Sequence, residues 1–193
     1  MAILSDHLKV PDQPLTASGN QAMLEVTDDS GFLALVVPSA YKSYVASDWT
    51  FEKILAHFKW QMAQKRLLIF GTGSEGIWNV DVVLNQFQTN GFREVEGPLK
   101  VNGGTVLLTN YESLTMAAQF EDVTLPERHQ EDLLVSLPDG DYTCRIVQMF
   151  DPDHQKQTRT GKSDFVIEMR ATKSKIAPWE KIPWFAIDGP EVV

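Results

Sequence analysis

Periodic apolar positions along the chain predict a mostly β protein with one clear helix. Residues 50–65 carry apolar side chains three, four and seven positions apart, the spacing of one face of an α-helix. Residues 163–171 instead alternate apolar and polar side chains, as a half-buried strand does. A second, short helix is predicted near residues 111–120. With about nine strands in all, the predicted fold class is α+β, mostly antiparallel β in a sheet or sandwich.

Short turns that contain glycine separate several of the predicted strands. The turn clusters at residues 28–31, 102–104 and 138–140 each lie between two apolar segments. Strands joined by so few residues pair antiparallel with each other in a hairpin. We therefore expect a hairpin at each of these three turns.

The central segment, residues 67–84, has two interpretations. Gly71, Gly73 and Gly76 follow an apolar strand in the spacing GxGxxG, and Glu96 lies 20 residues further on, as in a dinucleotide-binding unit. However, β-branched side chains crowd the part that would then be helical, and its polarity alternates as in a strand. The favoured interpretation is two strands joined by a glycine turn, which form a central hairpin. The alternative is a nucleotide-binding loop.

Composition is that of a soluble globular protein, with 43% hydrophobic and 22% charged residues among 193. We expect a single domain over residues 1–193, with an N-terminal arm at 1–20 and an extended C-terminal segment at 172–193 packed on the body. There is no secretory signal pattern and no apolar run long enough to span a bilayer. With one cysteine and hence no internal disulfide, the chain is predicted to be cytoplasmic and without a membrane partner.

The charge distribution favours a protein partner over a nucleic acid. The net charge is −9, so the phosphate backbone of a nucleic acid would repel the molecule as a whole. Residues 121–141 hold seven acids against one base, whereas residues 156–181 are mainly basic. Such a cluster of acids steers a basic protein electrostatically. The residues predicted to bind a partner are Glu127, Glu131, Asp132, Asp139 and Asp141.

Other reactive side chains do not form a catalytic or metal-binding pattern. Cys144 falls on the apolar face of a predicted strand, where a thiol is buried and inert. The four histidines lack zinc-ligand spacing. Residues 151–154 are similar to the start of a calcium loop, but Lys156 and Lys162 occupy the positions that need glycine and glutamate. We therefore predict no catalytic residues, no metal and no cofactor.

Three functional hypotheses follow from these patterns. The first is a non-catalytic cytoplasmic binding or regulatory protein that presents an acidic surface to a protein partner. The second is an enzyme that holds a nucleotide on the GTGSEG loop. The third is a β-sandwich with a pocket for a small ligand lined by Trp60, Trp78 or Trp184. The pattern does not predict an oligomeric state.

Overall fold

The computed structural model describes residues 21–185, and the α+β, mostly antiparallel class is confirmed. Both predicted helices are present, whereas the predicted arm at 1–20 and the last eight residues of the chain lie outside the described residues. The strands are β1 (Gln21–Asp28), β2 (Phe32–Val36), β3 (Leu67–Gly71), β4 (Gly76–Leu84), β5 (Arg93–Val101), β6 (Thr105–Asn110), β7 (Leu134–Ser136), β8 (Gly140–Gln148) and β9 (Phe165–Ala171). The helices are α1 (Phe51–Ala63), α2 (Tyr111–Gln119) and α3 (Gln155–Thr158), with 3₁₀ helices at Arg128–Leu133 and Pro152–His154.

The nine strands form two sheets that enclose the main apolar core. Sheet A has the order β1-β4-β9-β8-β5, and sheet B has the order β3-β2-β6-β7. Every neighbouring pair is antiparallel except β4 and β9, which run parallel. The inward side chains of both sheets belong to one continuous cluster of buried residues. The molecule is therefore a β-sandwich with helices added to it.

The short turns connect the two sheets and do not form hairpins. The β1–β2, β3–β4, β5–β6 and β7–β8 turns each lead from a strand of one sheet to a strand of the other. All four expected hairpins, including the central one at residues 67–84, are therefore wrong in their pairing, although the strands and turns are where the pattern predicts them. A hairpin and a turn between sheets both need a tight, glycine-containing reversal, so the turn residues alone do not distinguish them.

Sheet B is the middle layer, because helices cover its second face. Every residue of β3 is buried, as expected for a strand that is covered on both sides. Ile54, Phe58 and Met62 lie on the buried face of α1, which begins where the Thr50 side chain accepts a hydrogen bond from the Lys53 amide. Trp60 projects from the opposite face and remains 46% exposed beside the Arg66 guanidinium, so no other segment of the described chain covers it.

The outer face of sheet A is crossed by the connection between β4 and β5. These strands are not neighbours, so residues 85–92 must pass over β9 and β8, which lie between them. The Asn85 amide donates to the Met169 carbonyl where the crossing begins, and the Phe92 amide donates to the Gln148 carbonyl where it ends. Val147 and Val166, which face outward on this sheet, are buried. This crossing segment therefore lies against the sheet.

Candidate functional site

Several loops meet at one end of the sandwich, where the β1–β2 and β3–β4 turns lie beside residues 149–164. Asp28, at the end of β1, is fully buried at their centre. Its Oδ1 atom accepts hydrogen bonds from the Ser30 and Phe32 amides, each at 3.0 Å. Its Oδ2 atom accepts from Thr72 Oγ1 at 3.0 Å and from Trp78 Nε1 at 3.2 Å. One carboxylate thus ties both turns together.

The GTGSEG loop is the turn between β3 and β4, and the residues after it form a strand. A dinucleotide-binding loop must lead into a helix whose N-terminus faces the phosphates. Residues 76–84 form β4 instead, so the structural premise of the nucleotide interpretation of Gly71, Gly73 and Gly76 is wrong. Glu96 lies on β5, at the other edge of sheet A from β1, and no helix joins it to the glycine loop.

Two of these glycines are required by close packing and by backbone conformation. A Cβ atom on Gly71 would lie 2.5 Å from the Trp184 carbonyl oxygen. A Cβ atom on Gly73 would lie 2.5 Å from the Pro152 side chain, and its φ of +92° is in the region that favours glycine. The glycines therefore let the C-terminal segment and the 149–164 loop pack onto this turn.

Arg93 forms the second polar centre at this end. Its Nε atom donates to Gln148 Oε1 at 2.6 Å, and Gln148 Nε2 donates to the Thr72 carbonyl at 2.9 Å. The guanidinium lies 4.5 Å from the centre of the Trp184 ring, a cation–π contact. Burial lowers the pKa of Arg93, and the nearby charges of Asp153 and Asp151 oppose this shift. Within residues 21–185 its buried Nη2 atom has no hydrogen-bond partner.

The 149–164 loop is held to β4 through the buried carboxylate of Asp164. Asp164 is almost fully buried and accepts from the Asn79 amide at 2.8 Å. Arg159 donates to it from Nε at 2.5 Å and from Nη2 at 2.7 Å, and also packs over the Trp78 ring. This loop contains α3 and a short 3₁₀ helix. The Arg159 cation therefore already has a structural partner.

A cavity of about 310 Å³ opens beside the glycine turn. Three aromatic rings and a few small polar groups surround it, a composition typical of small-molecule sites. Of the three tryptophans proposed from sequence, Trp184 lines this cavity, Trp78 is buried beneath the same end, and Trp60 lies on α1. The lining residues are Ser30, Gly31, Phe32, Gly71, Gly73, Ser74, Glu75, Trp184 and Phe185.

The acids predicted to bind a partner are divided between the two ends of β7. Glu131 and Asp132 are exposed on the 3₁₀ helix that precedes β7, and Glu127 begins that helix. Asp139 lies in the turn after β7, where its Oδ1 atom accepts from the Gly104 amide at 2.8 Å. Asp141 follows in β8, and its carboxylate is 3.6 Å from Lys65 Nζ. They therefore do not form one continuous cluster.

Exposed apolar side chains lie at the end of α2, next to two further exposed acids. Tyr44, Met116 and Phe120 are 44%, 45% and 42% exposed. The Val45 and Ala46 amides both donate to the Ala118 carbonyl, which places the segment containing Tyr44 against the end of α2. Glu121 and Asp122 follow Phe120 directly and are exposed as well. This surface therefore combines apolar and acidic groups.

Comparison with known proteins supports the fold alone. No family model and no curated protein matches the chain. A solved structure described as "Crocagin biosynthetic gene J" matches with a TM-score of 0.53 at 11% identity, over 80% of this chain and 97% of that one. A second, described as ComJ, inhibitor of the DNA degrading activity of NucA, from Bacillus subtilis, matches with a TM-score of 0.49 at 13% identity, over 78% of this chain and 96% of that one. The first likeness shows a shared sandwich fold, and the second is too low to support an argument.

Two kinds of reactive group in the described residues bear on possible catalysis, a buried thiol and a histidine–aspartate contact. Cys144 is fully buried, and burial raises the pKa of its thiol far above the ordinary value. The Asp151 carboxylate lies 2.9 Å from His154 Nδ1, a contact that raises the pKa of His154. No three His, Cys, Asp or Glu side chains come together as metal ligands in residues 21–185. None of the helices in this part of the chain is both long and apolar enough to cross a membrane.

Sequence patterns did not identify most of the residues at the loop end. Asp28 and Gln148 are polar residues that end strands, and only their fully buried positions show that they hold the loops. Phe32 and Glu75 belong to segments that the pattern describes as a strand and a turn. The one available indication was the aromatic content of the C-terminal segment, which includes Trp184 and Phe185.

Proposed function

We propose that this chain is a non-catalytic cytoplasmic protein that binds a basic protein partner through one surface, here called the α2 surface. The observation that carries the proposal is the exposed apolar side chains at the end of α2 with exposed carboxylates beside them. The α2 surface consists of Tyr44, Met116, Phe120, Glu121, Asp122, Glu127, Glu131 and Asp132.

The apolar part of the α2 surface supports a binding role. Scattered exposed apolar residues are common on soluble proteins, but a group of them beside charged residues is typical of interfaces. Tyr44 and Phe120 flank Ala118, whose carbonyl accepts the Val45 amide at 2.8 Å and the Ala46 amide at 3.2 Å. Because backbone hydrogen bonds fix these two segments together, this surface is already ordered and would lose little conformational entropy when a partner binds.

The acidic part is also held in place before any partner binds. Gln130 is almost fully buried, and its Nε2 atom donates to Thr109 Oγ1 at 2.8 Å and to Ser113 Oγ at 3.0 Å. These bonds fix the 3₁₀ helix that carries Glu131 and Asp132 against α2 and β6. Exposed carboxylates fixed in this way accelerate association with a basic protein, and salt screens the effect.

Asp139 and Asp141 belong to the same proposal as a second acidic site at the far end of β7. Both are exposed, but Asp139 holds the β5–β6 turn and Asp141 pairs with Lys65. Since these contacts occupy the carboxylates, we assign this pair a smaller share of partner attraction than Glu131 and Asp132.

Removing charge from the α2 surface should slow association with the partner. The partner is first isolated from the native cell with the wild-type chain, and association rates are then measured at low salt. For the variant E121Q/D122N/E131Q/D132N we expect a rate at least about tenfold lower than wild type, because electrostatic steering is lost. The dissociation rate should change by about fourfold or less, because the apolar contacts remain. Charges at the rim of an interface affect mainly the association rate.

A matched variant separates this local effect from the loss of total charge. E75Q/E94Q/E96Q/E180Q removes the same number of exposed acids from the β3–β4 turn, from β5 and from the C-terminal segment. Its association rate should stay within about threefold of wild type. If both variants slow association equally, the total charge and not the α2 surface determines the rate, which contradicts the proposal. Unchanged rates in both variants would contradict it as well.

A further inference from the structure

The cavity beside the glycine turn has three aromatic residues in its lining. Phe32 and Phe185 pack edge to face, with ring centres 4.6 Å apart. Tyr111 continues this group, at 5.6 Å from Phe32, although it does not itself line the cavity. Trp184 forms another part of the wall, with its backbone in the left-handed region at φ 59°. Aromatic faces carry negative electrostatic potential, which attracts cations.

The charges close to these rings are mainly negative. Within residues 21–185, Glu75 is the one charged residue that lines the cavity, and it is exposed. Ser30, also in the lining, donates its hydroxyl to Glu112 Oε1. The other Glu112 oxygen is buried and has no hydrogen-bond partner within residues 21–185. Two carboxylates therefore lie at or behind the aromatic wall.

The Trp184 ring already binds a cation on one side. The Arg93 guanidinium lies 4.5 Å from its centre, and Asp151 and Asp153 are close enough to offset that positive charge. Trp184 is also one of the residues that line the cavity. A second cation there would face the rings and Glu75, with the Arg93 charge balanced by the two aspartates.

We propose that this cavity binds an organic cation, an alkylammonium or guanidinium group, between its aromatic rings and Glu75. A cavity of about 310 Å³ is large enough for one such group. A neutral sugar would stack on the rings and donate hydroxyl hydrogen bonds to Glu75, but it carries no charge for the carboxylate to attract. An anion would be repelled by Glu75. The proposal is independent of the α2 surface and can hold or fail without it.

Choline and its neutral isostere, 3,3-dimethyl-1-butanol, test the proposal directly. Each is titrated into the full chain, and binding is followed by calorimetry and by tryptophan fluorescence. We expect choline and methylguanidinium to saturate with a dissociation constant of about 1 mM, and the isostere to bind about tenfold more weakly or not at all. A parallel titration with a blocked Gly-Arg-Gly peptide distinguishes a free small cation from a basic side chain as the natural occupant.

Variants inside and outside the cavity test where choline binds. E75Q changes an exposed residue and should weaken choline binding about threefold to tenfold, and W184A should abolish it. W60F, which alters an exposed tryptophan on α1 outside the cavity, should leave binding unchanged. Equal affinity for choline and the isostere, tighter binding of acetate, no saturation, or binding unaffected by E75Q would each overturn the proposal.

Discussion

Replacing Asp28 with Asn is expected to lower the free energy of unfolding by about 3 kcal/mol, since breaking a buried hydrogen-bond network has costs of this size. The carboxylate of Asp28 accepts four hydrogen bonds, two on each oxygen. An amide can accept on one oxygen only, and its NH₂ group would face two further donors. Whichever way the amide turns, either the two turn amides or Thr72 and Trp78 lose their acceptor. Urea denaturation followed by tryptophan fluorescence measures the change.

A neighbouring aspartate provides the control. Asp29 has the same chemistry, lies one residue away and is exposed, so Asp29→Asn should change stability by less than about 0.5 kcal/mol. The Asp28 variant should also lose protection from amide exchange at both the β1–β2 and β3–β4 turns, because one carboxylate holds both. Loss of exchange protection in only one turn, or equal stability of the Asp28 and Asp29 variants, would show that Asp28 does not connect the two turns.

Strands and helices could be predicted from the sequence because the pattern that indicates each one lies within a short stretch of residues. The α1 stripe and the strand β9 are both indicated by side chains only a few positions apart, and both elements lie where the pattern places them. The half-buried character expected of β9 is wrong, because residues 165–169 are buried on both faces. Strand pairing is different, because it depends on residues far apart in the chain. β2 pairs with β3 and β6, and neither is joined to it by a short turn.

The candidate sites were predictable only in part, for a related reason. The acids of residues 121–141 were visible as a run in the sequence, but β7 separates them into two groups. Gln148 ends β8, and the structure explains this buried polar residue through its bonds to Arg93 and Thr72. Nothing local to Phe32 or Trp184 indicated that they share one cavity. Such sites form only when residues far apart in the chain come together in the folded sandwich.

A second buried network, on the outer face of sheet A, shows the same dependence on distant residues. Glu168 in β9 is 1% exposed, and its Oε1 atom accepts from the Gln88 amide at 2.9 Å and the Thr89 amide at 2.8 Å. Its Oε2 atom accepts from Arg145 Nη1 at 2.5 Å, and Arg145 also pairs with Glu94. Glu168 therefore fastens the segment that crosses from β4 to β5.

Glu168→Gln is expected to destabilise the protein by about 3 kcal/mol at neutral pH, the usual size of the loss when one partner of a buried ion pair is removed. Burial alone would raise the pKa of Glu168, but the bonds from Thr89, Gln88 and Arg145 outweigh it and lower the pKa. A carboxyl whose pKa is lowered by folding stabilises the protein above its unfolded pKa of about 4.3, and this contribution is lost as pH falls through the folded value. The difference in unfolding free energy between wild type and variant should therefore shrink below about pH 4.

The other carboxylate on the same arginine tests whether burial is the cause. Glu94 also pairs with Arg145, but its side chain is 53% exposed. Water and salt screen such a pair, so Glu94→Gln should cost less than about 1 kcal/mol and leave the amides of residues 85–92 protected. Glu168→Gln should open those amides to exchange, because Gln88 and Thr89 lose a charged acceptor. Equal effects of the two substitutions would mean that Arg145 pairing, and not the buried carboxylate, holds the crossing segment against the sheet.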